Sequence, residues 1–463
     1  MKKLFTIIFF LICFCSNAAF VTIPDANFRA ALKAKYPACF NASDEMDTDC
    51  ADVKNATSLN VISKSIADLE GVHYFTSLIS LQCDHNELSS LPTLPPSLRT
   101  LNCTYNQLTD ISIVPTTLVS LVCSYNLLTS LPANLNSLQG LHCENNKLTN
   151  LPPLPPSLTS LLCNYNKITD LPALPSSLRF LHCNNNELTN PPTLPSTLEQ
   201  FYCNSNHFTS LPSLPASLEV LSCSSNEITV LPTLPSSLIH LYCHYNKLSV
   251  LPTLPNSLLY FMCLGNNLTS LPTLPASLTT FNCESNALST LPSLPSSLKI
   301  FLCRVNNLTS LPPLPSSLEL LHCDGNNLTS LPPLPSGLKD LKAFNNCFSI
   351  EPTNPNPTTL TIFQVTPNNS NCPTPPVVTA AVLPGKESNE VSTDQLTFPN
   401  PAHDVITFRT EFSNVILFNT TGKEILSQQN TKEMNIKNIE AGVYYLKILH
   451  RNEEVSIQKI IIE

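Results

Sequence analysis

Tryptophan is absent from this 463-residue chain, glycine occurs only 8 times, and charged residues make up only 12%. Lysine and arginine number 24 against 33 aspartates and glutamates, a formal net charge of −9. So few cations leave no basic field along which a phosphate backbone could lie, which sets nucleic acid aside as a partner. No stretch after the N-terminal segment approaches the ~18 uninterrupted apolar residues of a membrane span, so no integral span is expected. A nucleophile elbow, a phosphate-binding loop, a zinc-binding helix motif and a CxxC pair are all missing. Nothing argues for catalysis, and no cofactor is implied.

Proline (42) and cysteine (19) are plentiful, in a chain that is 42% hydrophobic. Length alone allows about three globular domains, but so much proline with so little charge points to one quasi-regular object. At the start, Lys2 and Lys3 precede an apolar run from Leu4 to Cys15, followed by the small residues Ser16, Asn17, Ala18 and Ala19. That layout is a secretory signal peptide, assigned to residues 1–19. Neither Cys13 nor Cys15 follows the small residue expected before a lipid-modified cysteine, so an exported, soluble mature protein is expected.

Cysteine then falls every twenty residues from Cys83 to Cys323, thirteen times without a gap, with asparagine three residues after each and once more at Asn346. In the unit from Ser157 to Pro175 the recurring positions are Leu158, Leu161, Cys163, Asn166, Ile168, Leu171 and Leu174. A fixed period of this length predicts a stacked solenoid. Alternation around Leu161 and Cys163 is a strand signal. One strand per coil, paired in register at about 4.8 Å, makes a parallel concave sheet. Prolines such as Pro172 and Pro175 favour extended backbone, so the convex side should lack α-helix. Pro24, Asp25, Phe28, Ala31 and Leu32 read as a short capping helix, and Leu59, Val61, Ile66 and Leu69 as a degenerate coil.

The unit resembles the leucine-rich repeat, LxxLxLxxNxL, with cysteine for its third leucine and a short LPxLPxS return like that of bacterial effector repeats. The resemblance implies a horseshoe over residues 78–350, preceded by a cap and degenerate repeat at 20–77. Relatives of that effector type include ubiquitin ligases, whose catalytic domain has no counterpart in this chain.

Thirteen cysteines on one inward line keep their Cβ atoms at the strand spacing of about 4.8 Å, whereas a disulfide wants roughly 3.5–4.5 Å. They are expected to stay reduced, as small apolar core residues. Cysteines on one line cannot surround an ion tetrahedrally, so no metal is assigned to them. Cys39 with Cys50, and Cys347 with Cys372, lie outside the line and are expected to form two cap disulfides. His142, His182 and His322 are outward on strands too far apart to share a metal, and His240 and His244, four residues apart on one strand at roughly 13 Å, fail likewise. Asp44, Glu45, Asp47 and Asp49 lack the glycine turn and distal glutamate of a calcium loop.

Outward strand positions are free to vary because they do not build the core. Early coils place Ser80, Gln82, Asp84, Thr100, Asn102 and Thr104 there. From the sixth coil the face turns to Phe180, His182, Tyr202, Val220, His240, Tyr242, Tyr260, Met262, Leu264, Ile300, Leu302 and Leu320, with Tyr105, Tyr125, Tyr165 and Tyr245 on a neighbouring line. An apolar and aromatic surface of this extent predicts a binding face for an extracellular or surface protein. The alternative is that these side chains only pack laterally against one another, in a structural scaffold without a specific ligand.

Residues 351–390 are rich in Pro, Thr and Asn and read as cap and linker. Residues 391–463 carry the short β-rich runs VITF, NVILF, VYYLKIL and SIQKIIIE, with turn signals at Thr421-Gly422 and Ala441-Gly442, a small β-sandwich candidate. FPNPAHD from Phe398, NVILFNTTGKEIL from Asn414, IEAGVYYLKI from Ile439 and the final KIIIE resemble the C-terminal sorting domain of type IX secretion substrates. The resemblance implies recognition of this tail by the outer-membrane secretion machinery and delivery of the protein to the cell surface or exterior.

Overall fold

A three-residue strand cannot satisfy its own backbone, so each coil must find its hydrogen bonds in its neighbours. The computed structural model describes residues 19–348, 352–355, 358–365, 397–398, 405–419, 424–440, 442–449 and 455–462. Residues 1–18 of the predicted signal segment, Cys372 and most of the Phe398–Asp404 motif lie outside these residues. The chain divides into two units, Met1–Ala381 and Val382–Glu463.

The first unit opens with a two-residue strand, β1 (Phe20–Val21), antiparallel to β2 (Met46–Asp47). Between them runs α1 (Ala26–Lys35), whose N-cap Asp25 accepts from the Phe28 N–H at 2.8 Å. The same carboxylate accepts from the Ala67 and Asp68 N–H groups at 2.7 and 3.1 Å, tying the helix to the degenerate coil. Phe28 and Leu32 are fully buried against that coil. Cys39 and Cys50 form a disulfide, Cα atoms 5.6 Å apart, just ahead of the short helix α2 (Ala51–Lys54).

A single parallel sheet of sixteen strands follows in strict chain order. It starts at β3 (Ser58–Asn60), continues from β4 (Ser80–Gln82) to β17 (Asp340–Lys342) at twenty-residue intervals, and ends at β18 (Ile362–Gln364). The sequence boundary at 350 therefore stops one strand short of the solenoid. β18 pairs with β17 through Leu341↔Phe363 after a spacing of 22 residues and without the cysteine–asparagine signature, so periodicity alone could not reveal it.

Each coil buries the leucine before its strand, the central strand residue, the cysteine and the residue two beyond the asparagine. Phe261, Phe281 and Phe301 take the central position in three adjacent coils and stack at 5.4 and 5.6 Å. Two hydrogen-bond ladders stitch the coils. Asn206 Nδ2 donates to the carbonyls of Cys183 (2.9 Å) and Cys203 (3.2 Å), while its Oδ1 accepts from the Leu188 N–H at 3.1 Å. The arrangement recurs at each asparagine of the line. On the return side Ser217 Oγ donates to the carbonyls of Ser196 and Leu198 at 2.9 and 2.6 Å, and Ser or Thr repeats that role in other coils. Between the ladders the proline return is extended and closes with a turn such as Leu158 N–H to Pro155 O at 3.1 Å.

The thirteen ladder cysteines are free thiols, every one buried. Several lie within reach of the next coil's carbonyl, as Cys83 Sγ does at 3.3 Å from Asn102 O. Burial raises their pKa, to about 12 at Cys103 and Cys223.

The second unit is a five-stranded sheet with antiparallel pairing. Its long strand β20 (Val405–Asn419) pairs with β19 (Thr397–Phe398), β21 (Glu424–Asn435) and β22 (Gly442–Leu449), and β23 (Val455–Ile462) extends the sheet from β22. Ile406, Val415, Leu417, Met434, Leu446 and Ile462 form its core.

Two outcomes follow. Asn206→Ala removes one rung between buried carbonyls and an N–H, and should lower unfolding stability by about 2–4 kcal/mol, measured by urea denaturation of the mature protein. Stability should also fall steeply in alkali. An unfolded thiol ionises near 9.0, whereas Cys103 and Cys223 hold their protons to about 12. Above pH 9 the unfolded state sheds protons that the folded state keeps, at up to about 1.4 kcal/mol per pH unit per thiol. A urea midpoint unchanged between pH 8 and pH 10.5 would contradict this account.

Candidate binding face

In each strand the central residue points into the core, and its two neighbours point out onto the concave side. Eleven of the twelve sequence-predicted face residues stand on such outward strand positions in coils of one continuous sheet, and Leu264 follows the cysteine just beyond its strand. Tyr260 is exposed at 37%; Phe180, His182, Tyr202, Val220, His240, Tyr242, Met262, Leu264, Ile300, Leu302 and Leu320 are half-buried. The partial burial follows from the close strand spacing, which presses neighbours in register against each other. His182 meets the Tyr202 ring edge-on at 4.4 Å, and His240 stacks on Tyr260 at 4.6 Å with planes 4° apart. His240 Nδ1 lies 3.1 Å from the Tyr242 hydroxyl, and Ser224 Oγ lies 2.8 Å from His244 Nδ1. Lateral packing and an outward apolar surface thus coexist.

Burial lowers the pKa of His182, His240 and His244. These imidazoles are therefore neutral near pH 7 and add ring surface without positive charge. At the C-terminal end of the face the character changes. Arg304 Nε lies 3.0 Å from Asp324 Oδ2 and 3.8 Å from Glu284 Oε1, and His322 Nε2 lies 3.1 Å from Asp340 Oδ2. Burial raises the Glu284 carboxyl pKa, against the pull of Arg304. This charged cluster borders the apolar surface, and single-residue reading of the outward positions did not find it.

The line of tyrosines occupies the left-handed turn after each strand, with φ of 51° at Tyr105, 54° at Tyr125, 55° at Tyr165 and 53° at Tyr245. The turn lifts these rings into solvent. His85, Tyr105 and Tyr125 stack at 4.5 and 4.1 Å. Tyr245 lies over Gly265, where an added Cβ would come within 2.5 Å of the ring at a φ of +64°. Tyr245 and Ser285 hold the same turn without glycine, so it is the Tyr245 ring, rather than the backbone, that a side chain at Gly265 would displace.

Sequence reasoning also missed Val230 and Val250, exposed at 56% and 55% on the far edge of adjacent coils. The other eleven cysteine-bearing coils carry Ser, Thr, Asn or Asp at that position, so the departure from the column was the available signal.

Among the described residues, the one group of three His, Cys, Asp or Glu side chains close enough to share an ion is Cys39, Cys50 and Asp52, and both sulfurs are spent in the disulfide. The acidic loop is answered by its own neighbours, through Lys33 to Asp44, Lys54 to Asp49 at 2.5 Å, and Asn41 Nδ2 to Glu45 at 2.8 Å. Cys347 is disulfide-bonded, and its expected partner Cys372 lies outside the described residues. Shallow depressions sit on the convex side between proline returns, around Pro172, Leu174, Pro192 and Leu194, and their walls hold no titratable group. No helix among the described residues is long and apolar enough to cross a membrane.

Comparison with known proteins agrees with this architecture. Residues 396–463 match the secretion system C-terminal sorting domain, which marks type IX secretion to the cell surface or exterior. YopM from Yersinia enterocolitica is 33% identical over 69% of this chain and 80% of its own, with a TM-score of 0.52. YopM from Yersinia pestis, described as a leucine-rich effector protein, is 32% identical over 68% of this chain and 90% of its own, with a TM-score of 0.55. The functional domain of InlJ from Listeria monocytogenes, described as including a cysteine ladder, shares the fold at 22% identity, covering 95% of this chain and 97% of its own with a TM-score of 0.58. No curated protein matches the chain. These relatives are repeat scaffolds, and no catalytic family is indicated. The chain belongs to the leucine-rich repeat proteins and ends in a secretion system C-terminal sorting domain.

Proposed function

We propose that this protein is a non-catalytic recognition or adhesion protein of the cell surface or exterior that binds a protein partner through its concave face. The observation that carries the proposal is the run of aromatic and aliphatic side chains from Phe180 to Leu320, on positions the coil does not need for its own core. Tyrosine and methionine suit an adaptable protein contact, since they combine large apolar area with a polar or flexible end. A glycan groove more often carries tryptophan and paired carboxylates. The chain has no tryptophan, so a protein partner is favoured.

The half-burial of the same residues favours a second reading, a surface scaffold in which the rings only brace one another. One experiment separates the two. Proximity crosslinking with intact neighbouring cells and extracellular matrix is run with the mature protein and with its Tyr202→Asp/Tyr242→Asp/Met262→Asp variant. Recognition predicts a partner captured by the parent protein and weakened at least about a hundredfold in the variant, with an unchanged circular dichroism spectrum. Equal capture by both, or none by either, favours the scaffold.

A further inference from the structure

Within the aromatic run, one coil drops to serine. Register sets Tyr202 against Ser222 and Ser222 against Tyr242, so two phenol side chains rise two strand spacings apart, about 9.6 Å at the backbone, on either side of one hydroxyl. Ser222 is 4% exposed and its Oγ donates to Asn204 Oδ1 at 2.8 Å, so the floor between the rings is shielded and its polar group is already spent. Each wall is braced from outside. His182 packs edge-on against Tyr202, and the Tyr242 hydroxyl meets His240, itself stacked on Tyr260. No ring contact joins Tyr202 to Tyr242, which leaves a seam between aromatic surfaces rather than a filled core.

The coil that carries Ser222 holds two carboxylates, Glu219 and Glu227, and no lysine or arginine. Glu219, exposed, heads the same coil. Its neighbour Glu199 is held by Arg179 at 2.6 Å, whereas no ion pair among the described residues engages Glu219. No lysine or arginine stands in the five strands from Phe180–His182 to Tyr260–Met262. The imidazoles, kept neutral by burial, do not offset the carboxylate.

We propose that the seam over Ser222 receives an arginine side chain of the protein partner, with its guanidinium plane against Tyr202 and Tyr242 and its charge answered by Glu219. The proposal rests on the concave face being the binding surface. A flat, weakly hydrated guanidinium stacks on aromatic faces and offers a carboxylate two parallel N–H groups, whereas a rounded, strongly hydrated ammonium does neither as well. The chain's net charge of −9 favours approach of a basic segment from a distance.

The test is a bead-displayed library of random peptides, panned on the mature protein and on its Tyr202→Ala/Tyr242→Ala/Met262→Ala variant. Peptides retained only by the parent are resynthesised with citrulline, a neutral isostere, in place of arginine. Arginine should be enriched among them, and its exchange for citrulline should weaken binding at least about tenfold. Glu219→Gln should weaken the arginine peptides about threefold and leave the citrulline peptides unchanged, and Glu227→Gln, on the opposite edge, should affect neither. Parent-specific peptides that lack arginine, or that tolerate citrulline, overturn the arginine assignment while leaving the face as a binding surface. No parent-specific peptide at all overturns both.

Discussion

The structure depends on one exchange of hydrogen bonds, repeated where the chain leaves each strand. An asparagine side chain gives its amide to two cysteine carbonyls, one in its own coil and one in the coil before, and takes the N–H of the preceding coil's return, as Asn166 does for Cys163, Cys143 and Leu148. Strands of three residues make few backbone bonds of their own. Without the asparagine the turn would bury polar groups with nothing to meet them, at a cost comparable to the marginal stability of a domain. Leucines can then fill the interior because the turn above them is satisfied.

The cysteines belong to the same economy of space. Cysteine takes the place of the repeat's third leucine, and a thiol is small, apolar when protonated, and able to donate weakly to a carbonyl. Burial keeps these thiols protonated and therefore unreactive. Cys39 and Cys50 sit outside the ladder, in a cap with no twenty-residue neighbour to lean on, and there the sulfurs are joined covalently.

Much of this was legible in the sequence because the period repeats so often. A cysteine and an asparagine in fixed relation state which residues face inward, and the proline return excludes helix on the convex side. What was not legible depends on partners rather than period. Ser217 and its equivalents are as regular as the asparagines, yet a serine in a loop does not say which carbonyl it reaches. β18 escaped because it carries neither mark of the repeat. The extent to which His240, Tyr242 and Tyr260 support one another follows from side-chain directions that a linear pattern does not contain.

Because every interior coil makes the same bonds to the coil on either side, a stack displaced by one whole repeat would satisfy almost everything the native stack satisfies. Asp25 breaks that degeneracy: its carboxylate holds the start of the capping helix and the backbone of Ala67 and Asp68, which no later coil can imitate. Counting therefore begins at the N-terminal cap. For the same reason, duplication or loss of a single twenty-residue unit in the interior would lengthen or shorten the horseshoe without creating a new kind of contact, so the number of coils is free to drift while the cap is not.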